Sequence, residues 1–282
     1  MSAGGIEIIP LAGSLGAEVR GVDLRRLDNQ AWDAVHQAFL DYKVIAIRDQ
    51  QLGPQDVMDV GGRFGEPNHY PFVKGLDGFP FLFDIVKEPT ETVNFGGGWH
   101  SDTTYMKTPP LATLLYAIET PPRGGDTLYC DMVAAYESLS PGMKALLAPL
   151  KGVNSAGLKH VGGRKAHHAT IAGMSITGTE EAETFEAVHP IVRTIAETGQ
   201  KALYCSRGHT VRFDGMTEEE SRPLLDWLQA HATRPEFTCR VAWKPGTLTV
   251  WDNRRTMHSA INDYQGLRRH MRRLTSGPTV PA

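Results

Sequence analysis

The chain has 282 residues, a formal net charge of −3 and no long run of one sign. That length suits one large domain with a substantial core, and the charge balance argues against nucleic acid or a membrane surface as the main partner. Three widely spaced cysteines, Cys130, Cys205 and Cys239, form no CxxC pair, which excludes a disulfide framework or zinc finger and leaves reduced, mostly buried thiols.

In chain order, the opening MSAGGIEIIPLAG lacks the basic start and apolar stretch of a signal peptide, and nowhere do eighteen apolar residues run together. A cytoplasmic protein is expected. Strand-like runs then recur at 6–11 (IEIIPL), 44–49 (VIAIRD), 111–119 (LATLLYAIE), 126–131 (DTLYCD), 202–206 (ALYCS), 237–243 (FTCRVAW), 247–252 (TLTVWD) and 268–275 (RRHMRRLT). Turn pairs such as Pro121-Pro122, Gly124-Gly125 and Pro245-Gly246 bound most of them, the spacing of a β-sandwich or barrel. Trp32, Val35, Phe39 and Leu40 keep one face of a helix predicted over 29–43. Thr217 with Glu220 reads as a capping box opening a helix that carries Leu224, Leu225, Trp227 and Leu228, with Pro223 awkward in its second turn. The segment 152–186, rich in Gly, Ala, Thr and His and carrying Lys159, His160, Arg164, Lys165, His167 and His168, is aperiodic. It is expected to be a mobile lid within a single domain spanning 1–282, its basic residues either solvated or closing over an acidic substrate.

Eleven histidines yield a single His-X-Asp or His-X-Glu tripeptide, His100-Ser101-Asp102. On a strand, residues i and i+2 share a face, so both side chains could reach one ion. His258, after the strand TLTVWD and a short polar turn, is the candidate third ligand. Two histidines and one carboxylate leave positions open for cosubstrate and oxygen on non-haem Fe(II). Each residue alone reads more simply as a surface or satisfied histidine or a turn aspartate. The run LRRHMRR alters that balance. It places Arg269, Met271 and Arg273 on one strand face and Arg268, His270 and Arg272 on the other. Arginines aimed into a sandwich are costly unless they meet anions, whereas the other three read as a solvated edge or phosphate patch.

The segments WHSD (99–102), PPRGGDTLY (121–129), HPIVRT (189–194) and WDNRRTMHSAINDYQGLRRHMRR (251–273) resemble the taurine and 2,4-dichlorophenoxyacetate dioxygenase family of Fe(II)/2-oxoglutarate-dependent oxygenases, from about Ile6 to Thr275. The resemblance implies a mainly β protein with flanking helices around a jelly-roll-like double-stranded β-helix. It implies His100, Asp102 and His258 as iron ligands, Arg269 and Thr127 on the distal carboxylate of 2-oxoglutarate, and Arg273 on the anion of the primary substrate. Tyr70, Tyr105 and Tyr204 are candidate pocket walls, with ordinary packing as the alternative. The implied activity consumes 2-oxoglutarate and O2, releases succinate and CO2, and oxidises a small anionic carboxylate or sulfonate, most simply by hydroxylation. Desaturation, oxidative decarboxylation and rearrangement are open to the same site, as is self-association to the chain. From a different class, a non-catalytic metal-binding jelly roll is the rival. Tyr70 stands where taurine enzymes have a histidine, and Gly96 replaces a polar residue, which argues against taurine itself.

Overall fold

The computed structural model describes residues 5–157, 163, 166–167, 170–171, 173–177 and 184–282. Its N-terminal part runs β1 (Glu7–Pro10), β2 (Ala17–Arg20), α1 (Asn29–Tyr42), β3 (Val44–Ile47), α2 (Pro54–Gly62), β4 (Phe83–Lys87) and β5 (Pro110–Glu119). There follow β6 (Thr127–Asp131), α3 (Met132–Glu137), α4 (Pro141–Leu147), β7 (Lys151–Ser155), β8 (Glu186–Pro190), β9 (Val192–Thr194), β10 (Lys201–Leu203) and β11 (Thr210–Phe213). The C-terminal part is α5 (Glu218–Ala232), β12 (Thr238–Val241), β13 (Leu248–Asp252), β14 (Thr256–Ala260) and β15 (Arg269–Pro278).

Seven strands form the main sheet in the order β1-β2-β3-β13-β5-β15-β4, and β12-β6-β14 form a smaller one. Side chains alternate across the main sheet as the period of two requires. Val44 and Ala46 of β3 join Trp251, Met271 and Leu115 in a core shared with Tyr129 and Val241 of the smaller sheet. Ile45 and Ile47 point the other way, into a second core with Val35 and Phe39 of α1 and Val57 and Val60 of α2. Burial on both faces is why VIAI and TLTVWD read as apolar runs rather than alternations. The architecture is the mainly β, double-stranded β-helix type that the sequence led us to expect.

Helix α1 ends one residue before the predicted boundary, because Lys43 turns left-handed at φ 66° to leave the helix. The capping box of α5 forms as read: Thr217 Oγ1 accepts from the Glu220 amide (3.2 Å) and Glu220 Oε2 from the Thr217 amide (2.8 Å). Pro223 lies inside that helix, on its exposed side, where the carbonyl it leaves unpaired can bond water. Trp227 also faces outward and stacks on His231 at 5.0 Å. The helices α2, α3 and α4 and the strands β2, β4, β7, β8, β9, β11 and β14 go beyond the sequence reading, all of them being ten residues or fewer and too short for a clear period. Of the expected lid, Lys159, His160, Arg164, Lys165 and His168 lie outside the described residues.

The turn from β13 to β14 fastens the smaller sheet to α1. Arg255, fully buried, bonds Asp252 through Nε (2.8 Å) and donates to the carbonyls of Leu40 (2.8 Å) and Phe39 (3.2 Å) in the last turn of α1. A cation there adds a donor to the last carbonyls of the helix, that of Phe39 being shared with the Lys43 amide, and opposes the negative end of the helix dipole. Arg254 shares Asp252 and reaches Glu197 at 2.7 Å.

Candidate active site

His100 and Asp102 do not lie on a regular strand. Glycines 96 and 98 take φ of 79° and 85° and Thr103 takes 46°, so the backbone coils instead of extending. A single bridge aligns the segment: the His100 amide donates to the His258 carbonyl (3.0 Å) and the His258 amide to the His100 carbonyl (2.8 Å). His258 sits within β14, opposite Tyr129 of β6. The three side chains nevertheless converge. Ligand-capable atoms of His100, Asp102 and His258 all lie within 4.8 Å of one another, with Asp102 Oδ1 3.6 Å from His100 Nε2 and 3.8 Å from His258 Nε2.

The protonation pattern suits metal ligation. His100 Nδ1 meets the Gly98 carbonyl at 2.9 Å; a carbonyl only accepts, so Nδ1 carries a hydrogen and Nε2 is the ring nitrogen turned toward Asp102. Burial first, then repulsion from His100, pushes His258 down to about 3, leaving a neutral imidazole. Burial would raise the Asp102 carboxyl, but Arg273, with both histidines, holds it well below the carboxylate range. A neutral His258 imidazole, the His100 ring and an ionised carboxylate, all presented from one side, fit a divalent iron that must keep open positions.

Asp102 is braced from behind. Thr113 Oγ1 donates to its Oδ2 (2.6 Å), Asn253 Nδ2 donates to Thr113 Oγ1 (2.7 Å), and Asn253 Oδ1 accepts from Trp251 Nε1 (3.0 Å). Oδ1 thereby faces the two histidines and Arg273. Sequence reasoning quoted WDN without seeing this role for Asn253; Thr113, deep in an apolar strand, gave no signal.

Arg269 and Arg273 are buried on β15 as expected. Arg273 Nη2 approaches Asp102 Oδ1 at 2.6 Å as an ion pair, and its guanidinium carbon lies 5.5 Å from the Tyr70 ring centre and 5.7 Å from that of Phe83. Its interior charge therefore has an acidic partner, which the sequence did not foretell. Arg269 stacks 5.5 Å from Trp243, and its Nε and Nη2 find no hydrogen-bond partner among the described residues. Thr127 Oγ1 accepts from Trp243 Nε1 (3.0 Å), so its own hydrogen remains to be donated onward. Trp243 was invisible to motif reading.

On the outward face the reading of a solvated or phosphate-binding edge is corrected. β15 lies between β5 and β4; Arg272 and His270 pair with Asp84 (2.9 and 2.7 Å), and Arg268 with Glu88 and Glu119. Acids on the neighbouring strands, distant in sequence, neutralise what looked like an open basic run.

Two cavities adjoin the triad. The larger, of about 380 Å³, is lined by Tyr70, Phe95, Trp99, Tyr105, Asp102 and Arg273, with His167 and His209 also on its wall. The smaller, of about 30 Å³, holds Thr127, Arg269 and His258, and shares His100 and Arg273 with the first. Tyr70 and Tyr105 thus fall where a pocket wall was expected. Tyr204 falls in neither cavity: just past β10, with its amide bonded to the Ile191 carbonyl (2.7 Å), it is buried under the Arg193 guanidinium of β9, 4.6 Å away.

This fold and donor set define an oxygenase class, and the comparisons agree. The chain belongs to the taurine catabolism dioxygenase TauD, TfdA family, whose model matches residues 7–275, and it is an Fe(II)/2-oxoglutarate-dependent dioxygenase that uses O2 as cosubstrate. It is 33% identical to an alkylsulfatase of Acinetobacter baylyi, over 96% of this chain and 84% of that protein. With an alpha-ketoglutarate-dependent sulfate ester dioxygenase of Pseudomonas putida it shares 32%, over 98% and 91%. A crystal structure of a taurine dioxygenase from Burkholderia xenovorans superposes with a TM-score of 0.80 at 34% identity, over 99% of this chain and 93% of that one. Among the described residues no helix is long and apolar enough to cross a membrane.

Proposed function

We propose that His100, Asp102 and His258 hold the iron, that Arg269 and Thr127 bind the distal carboxylate of 2-oxoglutarate in the smaller cavity, and that Arg273 receives an anionic organic substrate in the larger one. The observation that carries this reading is the junction of the two cavities at His100 and Arg273, which would put substrate and cosubstrate on adjacent sides of one ion. Bound iron would supply O2 activation coupled to decarboxylation of 2-oxoglutarate, chemistry that side chains lack. The side chains orient and exclude. Arg269, with unpaired N–H groups, offers a planar fork to a carboxylate, and the Thr127 hydroxyl adds a donor.

For the substrate we favour an alkyl sulfate ester whose ester-bearing carbon carries hydrogen, with sulfonates and carboxylates next. The relatives named above support that order, and Tyr70, Phe95, Trp99 and Tyr105 suit an apolar body attached to the anion. Hydroxylation of the carbon bearing the ester oxygen gives a product that collapses to an aldehyde and hydrogen sulfate. The chain is read as one functional domain, because the site draws on residues from Tyr70 to Arg273; its free thiols suit the cytoplasm. The test is a panel of sulfate esters, sulfonates and carboxylates scored for substrate-stimulated succinate, with the products weighed by mass spectrometry. Sulfate release matched one-to-one by succinate is the expected result; stimulation by carboxylates alone would overturn the substrate order.

A further inference from the structure

Lys87 ends β4 on its inward face. It follows Ile85, which lines the smaller cavity, by two residues, and it stands directly opposite Arg269 in the β4–β15 pairing. Its side chain is buried and its Nζ has no hydrogen-bond partner among the described residues. The ammonium lies 4.4 Å from the centre of the Tyr264 ring. Tyr264 lies close enough to Arg269 to favour its charged form, and it packs so closely on Gly125 that a Cβ there would stand 3.2 Å from the ring. Two residues beyond Gly125 is Thr127. Arg269 and Thr127 line one end of the smaller cavity, and Lys87 and Tyr264 stand just behind that end, next to Arg269 and Gly125.

Like charges directly opposite in an antiparallel pair destabilise it, and a cation–π contact recovers only part of the cost of taking an ammonium out of water. Nearby acids are committed elsewhere. Glu91 accepts from the Glu88 amide at 2.6 Å and the Gly173 amide at 3.2 Å, and Asp126 pairs with Arg240. Resting on the reading of this cavity as the 2-oxoglutarate pocket, we infer that Lys87 is a second cation of the cosubstrate anchor, so that the distal carboxylate is held by a lysine and an arginine together. Burial also pulls the Lys87 ammonium below its ordinary range, with Glu91 opposing, as befits a cation awaiting a counter-charge.

The experiment is an anaerobic titration of the Fe(II)-loaded enzyme, following the visible charge-transfer band and heat of binding. Two cosubstrates are compared: 2-oxoglutarate and 2-oxovalerate, which has the same chain length without the distal carboxylate. Lys87→Met should raise the Kd of 2-oxoglutarate by about tenfold or more, the scale of one charge-assisted hydrogen bond. The Kd of 2-oxovalerate should stay unchanged, and Lys87→Arg should restore 2-oxoglutarate binding. An unchanged Kd for 2-oxoglutarate in Lys87→Met, or an equal loss for both oxo acids, overturns the inference. Absence of 2-oxoglutarate binding in the wild type would instead refute the pocket itself. If Lys87→Met does not fold, Lys87→Gln gives the same comparison.

Discussion

On the outward face at the start of β15, Arg268, His270 and Arg272 each meet a carboxylate of the chain itself, whereas on the inward face Arg269 is buried with N–H groups unmatched, and Arg273 leans on the one carboxylate that also faces the histidines. The two faces are equally basic in sequence. What separates them is whether the fold supplies a counter-charge that is not shared with the histidine site. Where it does, the cation contributes to architecture; where it does not, the cost of desolvation points to a ligand.

The widest gap between the faces should appear on removing Arg269. Stranding a carboxylate in a buried site costs about 3–5 kcal/mol, so Arg269→Ala is expected to raise the 2-oxoglutarate Kd by roughly two to four orders of magnitude, read from the charge-transfer titration. An unchanged Kd would erase the distinction between the faces. Arg273→Leu comes next: the band and some uncoupled succinate formation should survive, while turnover of the anionic substrate falls by about a hundredfold, as loss of about 3 kcal/mol gives. Equal turnover of a neutral analogue by the wild type would show that this arginine does not read charge.

The outward face should respond in stability alone. Asp84→Asn weakens two partly buried ion pairs and is expected to lower the unfolding free energy by about 1 kcal/mol, measured by urea titration, with 2-oxoglutarate binding within about twofold of wild type. The smallest effect concerns pH. Burial would raise the Asp84 carboxyl, but His270 and Arg272 hold it below the usual value. Its contribution is thus full above the unfolded value near 4 and fades as pH falls through the lower folded one. Wild type should lose its advantage over Asp84→Asn below about pH 4, by a few tenths of a kcal/mol at first. A difference that grows with acidity would reverse the assigned sign.

The legible parts of the sequence were those where one local pattern decides. VIAI and TLTVWD are buried on both faces and so read as strands; Thr217 and Glu220 sit at capping-box spacing; Arg269 and Arg273 sit four apart on one strand face. The ligand set His100, Asp102 and His258 was legible as residue types, yet its geometry was not, since no strand period exists where Gly96, Gly98 and Thr103 turn left-handed. Likewise Asp84, Glu88 and Glu119 could not be matched to the basic run, nor Thr113 and Asn253 to Asp102, because these contacts arise only when β4, β5, β13 and β15 come into register. Tyr204 shows the converse limit: an aromatic in the right neighbourhood of sequence, packed against Arg193 instead of the cavity.

Arg255 links the turn that leads into β14, the strand carrying His258, to the carbonyls of the last turn of α1, and that linkage has a consequence for how the enzyme wears out. A helix far forward in the chain and a ligand far back in it share one clasp, so neither can open without the other. Amides at the end of α1 and in β14 should exchange with solvent in a single cooperative event, and inactivation on ageing or heating should coincide with release of that helix.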